Sequence, residues 1–263
     1  KDNNSKETRS KTKKFDKKNI KSVKIGKLES PSLGSIGIKT DLNKIFGLNI
    51  WSNLSAKTAI KYLNYLPNQS SSKFYQNILN DIYASTSEPP KGDIQEITDF
   101  VNIKLLKLSK NGEVEILLKI VDQLPDTNIW EKWKRWFVIY KLLNKDDEKI
   151  CKKILNTKSN YNNIFWEKAN LICLILQGNY FDANFIFDVM TAQNLLDDRF
   201  KKLVDYVINE KSIDDLKIDK NITEPLNIVL LDILKYPINI KMIEKLGNEY
   251  CQATADLIYI DPE

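Results

Sequence analysis

The chain has 263 residues, 42% of them apolar, enough to bury a core in one long domain or two short ones. It contains no histidine, which removes Ser-His-Asp triads, Cys-His nucleophiles and His-ligated metals. The net charge of +5 is uneven: residues 1–28 hold eleven Lys or Arg against three acids, a local balance of +8 that leaves the rest of the chain at −3.

Residues 1–28 have many charges, few apolar side chains and no sustained period, so they are expected to be a disordered basic leader. A solvated linker is the favoured reading of it, with contact to nucleic acid or an anionic surface as the alternative; its one aromatic, Phe15, is too little for stacking on single strands. Residue 1 is Lys, so the chain is expected to be a processed or truncated piece, placed in the periplasm or cell envelope after signal removal, with the cytoplasm as the alternative.

Residues 29–38, ESPSLGSIGI, alternate Leu33, Ile36 and Ile38 with small residues and read as an extended strap. Gly34 and Gly37 would let its backbone approach a neighbour closely. No GK[ST] comes after it, so a phosphate cradle is disfavoured. Residues 42–50 read as a short helical or irregular piece broken at Gly47. Asn53 or Ser55 caps a helix over 56–65 that ends before Pro67, with Ala59, Tyr62, Leu63 and Leu66 inward. Ser70 to Ser72 cap a helix through Ala84, with Phe74, Ile78, Leu79 and Ile82 inward. Residues 85–92, STSEPPKG, read as an extended linker that separates a strap-and-helix module over 31–90 from the helices beyond it.

From Asp93 onward helix–turn–helix units repeat. The spacing predicts helices over 93–109 and 113–124, then 126–143 and 147–156, then 163–177 and 180–191. Gly112, Lys145 and Gly178 mark the three turns and stand 33 residues apart. In the middle unit Trp130, Trp133, Phe137 and Tyr140 share one helical face, and core packing is their expected role. Lys132, Lys134, Arg135 and Lys141 lie mostly off that face. In the third unit Ala183, Ile186, Phe187 and Met190 point inward. Looser helices are expected over 198–208, 224–234 and 239–246, with Pro225 in a first turn. The chain ends at Ile-Asp-Pro-Glu, and a continuation beyond it is expected.

A period near 34 with a helix pair in each unit predicts an all-α protein, an α-solenoid over 91–263, because one pair cannot bury its apolar faces alone and stacking hides them. The units over 93–192 resemble tetratricopeptide repeats in period, in their Trp- and Tyr-rich first helices and in a small residue early in the second helix, Ala183 and Cys151. The usual Gly-Tyr pair of the first helix is absent. More broadly, PSLGSIGI and then LNIWSNLSAKTAIKYLNYLP resemble a group of uncharacterised exported alphaproteobacterial helical proteins, which carries over no catalytic residue.

Cys151, Cys173 and Cys251 are far apart and outside CxxC spacing, so neither a zinc site nor a disulfide scaffold is expected, and each reads as a small buried hydrophobe. The adjacent pairs Asp197-Asp198 and Asp214-Asp215 diverge by about 100° on a helix, so capping explains Asp197 better than catalysis does. Asp146, Asp147 and Glu148 read as a helix start complementing the dipole. The expected function is therefore a non-enzymatic scaffold without cofactor or metal, gripping a protein or peptide on a concave face made by first helices. Lys134, Arg135, Asn170 and Gln177 are its candidate solvent-facing contacts. An enzyme of the lytic hydrolase or transferase kind is the alternative, and would need Glu131 or Glu167 buried in a cleft.

Overall fold

Short polar side chains start the helices. In the computed structural model Ser55, Ser72, Asn163 and Asp197 each accept a hydrogen bond from a backbone N–H in the first turn of the helix they cap. Asp93 and Glu96 form a reciprocal capping box. The structure describes residues 32–145, 147–161, 163–218, 222, 224–243 and 246, with Asp147 described by its backbone alone. The basic leader, Asp146, Cys251 and the C-terminal segment lie outside the described residues, as do parts of the strap, of the 211–221 connection and of the helix expected over 239–246.

Among the described residues the fold is all-α: α1 (Asp41–Phe46), α2 (Ala56–Tyr65), α3 (Lys73–Ala84), α4 (Ile94–Lys110), α5 (Val114–Gln123), α6 (Glu131–Leu143), α7 (Asp147–Thr157), α8 (Ile164–Leu176), α9 (Tyr180–Ala192), α10 (Asp198–Ile208), α11 (Pro225–Ile233) and α12 (Ile240–Ile243). Two isolated parallel bridges, Ile38 with Ser85 and Ser55 with Lys91, are the extended pairings among these residues.

The helix ends explain the period. Gly112, Lys145 and Gly178 have φ of +73°, +58° and +70°, so the residues 33 apart in sequence are the left-handed residues that close α4, α6 and α8. The N–H groups of Gly178 and Asn179 turn back to the carbonyls of Ile175 and Leu174, which satisfies the last carbonyls of α8. Asn194, Glu210 and Lys235 end α9, α10 and α11 in the same way but at shorter and unequal spacing, which is where the sequence register loosens.

From α4 to α11 each helix packs on the next. The strap, α2 and α3 pack on α4. A Cβ at Gly37 would stand 2.6 Å from the Ala84 carbonyl, so the close approach of strap to the end of α3 needs glycine there. The 85–92 segment is extended and is bridged to both the strap and the start of α2. Lys104 of α4 lies beneath these segments. Its Nζ donates to the carbonyls of Ser85 at 2.9 Å and Ile36 at 3.4 Å and lies 5.6 Å from the centre of the Phe100 ring. Full burial pushes its pKa down to about 8.

The aromatic stripe of α6 is core: Trp130, Trp133, Phe137 and Tyr140 are all buried, and Trp133 Nε1 donates to Asn102 Oδ1 at 2.9 Å. So are Trp136, Val138, Ile139, Leu142 and Leu143, so α6 is buried on nearly every side. The reason is α11, an almost wholly apolar helix that turns back and packs on α6 and α8 as well as on its neighbour α10.

Three expectations need correction. Tyr62 and Phe74 are exposed, and Tyr83, Asn80 and Ala84 join Leu79 inside α3 while Ile78 and Ile82 are half-buried. Both helices carry apolar residues on two sides, so packing on α4 sets their rotation. Ile186 and Phe187 are only half-buried, whereas Ala183 and Met190 are inside. Cys151 and Cys173 are buried as expected but are not separate hydrophobes: they form a disulfide between α7 and α8, with Cα atoms 5.3 Å apart. Residues 22 apart meet because the turn between these helices returns the chain alongside itself.

Candidate functional site

A charged cleft lies between helices of the middle of the chain. α5 and α7 both pack on α6, and a cleft of about 360 Å³ opens between them. Its inner lining is apolar, with Leu118 from α5, Phe137 from α6 and Ile150 from α7, all buried. Its outer lining carries four lysines, Lys119, Lys141, Lys149 and Lys153, against two acids, Glu115 and Asp122. Helical spacing places them: Glu115, Leu118, Lys119 and Asp122 stand at i, i+3, i+4 and i+7, and Lys149 and Lys153 at i and i+4.

An ion pair spans the cleft. Lys153 of α7 pairs with Asp122 of α5, and its Nζ lies 4.7 Å from the centre of the Phe137 ring. Close enough to interact with both charges, Lys134 pairs with Asp126 at 3.0 Å. Burial lowers the pKa of Lys134, and the carboxylate of Asp126 offsets part of that. With Lys153 and Asp122 compensating each other, Lys119 and Lys149 remain on the rim beside Glu115. Such a surface attracts carboxylates while its floor accepts an aromatic or aliphatic side chain.

The residues singled out from sequence do not converge. Lys134 is only 3% exposed, and Asn170 is buried within α8, so the expectation that both face solvent fails. Lys134 is turned toward Asp126, and Asn170 lies on α8, on which α7, α9 and α11 all pack; sequence periodicity does not reveal these neighbours. Arg135 is partly exposed but already engaged, 3.9 Å from Glu131 and 5.1 Å from the centre of the Phe165 ring. Gln177 is exposed at the far end of α8, about 18 Å along the axis from Phe165 at 1.5 Å per residue.

The two glutamates named for an enzyme reading are also engaged. Glu131 accepts from Trp166 Nε1 at 3.2 Å, and Glu167 pairs with Lys158 at 3.3 Å. Neither lines the cleft between α5 and α7. Asp197 caps α10 and receives Lys168 at 2.8 Å; burial raises its pKa, but Lys168 and the Phe200 N–H outweigh that and hold it below the usual carboxylate range. Asp214 and Asp215 sit in a short 3-10 turn capped by Ser212. Among the described residues no group of three or more Cys, Asp or Glu side chains gathers that could hold a metal ion, and no helix is long and apolar enough to cross a membrane.

Sequence reasoning singles out Lys141 but not Lys119, Lys149 or Lys153 as members of one surface. Their i, i+4 spacing is that of any solvated helix face, and only the packing of α5 and α7 on α6 brings them together. Compared with known proteins, the chain matches no family model, no curated protein and no solved structure.

Proposed function

We propose that this chain is a non-enzymatic interaction scaffold, a stack of tetratricopeptide-like helix pairs whose docking groove is the cleft between α5 and α7. Its occupant is an acidic segment of protein carrying one or two large apolar side chains. The observation that carries this reading is the lysine rim over the floor of Leu118, Phe137 and Ile150. The concave face expected from α6 and α8 is a weaker candidate, because α11 already packs against both. Groove binding then works by the usual division of labour: the apolar anchor supplies affinity by leaving water, and the charges supply orientation and encounter rate.

The Cys151–Cys173 disulfide supports an oxidising compartment such as the periplasm or cell envelope, since thiols are kept reduced in most cytosols. The binding claim is tested by amide hydrogen exchange on the full chain with and without a synthetic helical peptide bearing Asp and Phe at i, i+3 and i+4 spacing. Added protection is expected in α5 and α7. Protection confined to α8 and α10, or none, contradicts it.

A further inference from the structure

α9 is a helix with two working faces. Ala183 and Met190 are buried against its neighbours, but Phe181 is 85% exposed and Phe185 67% exposed. These two phenylalanines, Asp188 and Val189 stand at i, i+4, i+7 and i+8, so one solvent-facing stripe carries two aromatic rings and a carboxylate. Asp188 has no ion-pair partner among the described residues, and α9 contains a second acid, Asp182, and no basic residue. Two phenyl rings left in water on one stripe mark a contact surface.

We infer that α9 of one copy docks in the α5–α7 cleft of a second copy. This rests on the reading of that cleft as a groove for an acidic, apolar-anchored segment, and names the segment. The match is of both kinds of surface: Phe181 and Phe185 meet the apolar floor, and Asp188 meets the lysine rim. Pairing α9 with α9 would instead set acidic stripe against acidic stripe. An anionic lipid surface would repel the same carboxylates. The two surfaces lie on different helices, so the contact is heterologous: copies join head to tail, as an open chain or a closed ring.

Sedimentation velocity of the full chain over a wide concentration range tests this. The average mass is expected to rise above 30.5 kDa with concentration and to fall back as salt is added. Phe181→Ser with Phe185→Ser removes one surface, and Lys119→Glu with Lys149→Glu reverses the other; all four side chains are exposed, so each variant keeps its core. Each variant alone is expected to stay at monomer mass, and an equimolar mixture to form a species of twice that mass and no larger. Three results overturn the inference: a wild-type chain that stays monomeric throughout, association that survives the lysine reversal, or a mixture that fails to pair. If the wild type stays monomeric while the acidic peptide still protects α5 and α7, the self-docking is wrong and the groove stands. If the peptide protects neither helix, the groove reading fails as well.

Discussion

Cys151 on α7 and Cys173 on α8 are bonded to each other inside the core, both 3% exposed, and so fasten one wall of the cleft to the next helix along the chain. Closing a loop of this length restricts the unfolded chain and is worth about 3 kcal/mol on chain-entropy grounds. In a Cys251→Ser background, Cys151→Ala with Cys173→Ala is expected to lower the unfolding free energy by about that amount, read from urea denaturation. A strong reductant should shift the parent protein similarly and leave the double variant unchanged. A parent midpoint indifferent to reductant contradicts the bridge.

Lys104 makes stability depend on pH. Its pKa in the folded protein is pushed down to about 8 by burial, against about 10.4 in an unfolded chain. Below pH 8 the ammonium is charged in both states and its burial cost is fully present. Between pH 8 and about 10.4 the unfolded state binds the extra proton, so stability rises with pH, by about 3 kcal/mol at most. Lys104→Met removes this slope. The check is the difference in unfolding free energy between parent and variant from pH 7 to 10, which should grow in the parent's favour. A flat difference contradicts the buried ammonium.

The Lys134–Asp126 pair holds an ammonium whose side chain is only 3% exposed. Asp126→Asn leaves a buried ammonium facing a neutral amide and is expected to cost about 3 kcal/mol. Adding Lys134→Met should restore most of that, because an apolar side chain of similar length suits the site better than an unpaired charge. A double-mutant cycle in urea measures the coupling. Additive losses contradict the claim that the two groups compensate each other.

Left-handed helix ends carry a separate test. Glu210 and Lys235 adopt φ of +48° and +56°, where a side chain is strained. Glu210→Gly and Lys235→Gly are each expected to stabilise by about 1 kcal/mol, read as a rise in Tm. Gly112→Ala and Gly178→Ala should lose a similar amount. A Cβ at either glycine meets nothing within 4 Å, so those losses report backbone strain alone.

Most helix boundaries were legible because capping side chains and left-handed turn residues are local signals, as Ser55, Asp93 and Gly178 show. The core role of Trp130, Trp133, Phe137 and Tyr140 was legible from their period. What the sequence hid is long-range. Lys134 is buried against Asp126, and Asn170 within a helix on which α7, α9 and α11 all pack, so two surface candidates lie inside. Nothing local marks the pairing of Cys151 with Cys173, nor the convergence of Lys119, Lys149 and Lys153. Each depends on which helices become neighbours, and the helical period is silent on that. The exposed rings of Phe181 and Phe185 were hidden for a related reason: α9 is apolar on both sides, so its sequence does not say which side is inside.

The most direct test of the central claim is fluorescence anisotropy of a labelled acidic peptide with Phe anchors, titrated with the full chain and with its Lys119→Glu, Lys149→Glu variant at low and high salt. The account predicts saturable binding to the parent, weakened at least about tenfold by the charge reversal and progressively by salt. Equal affinity for both proteins, unmoved by salt, would contradict it.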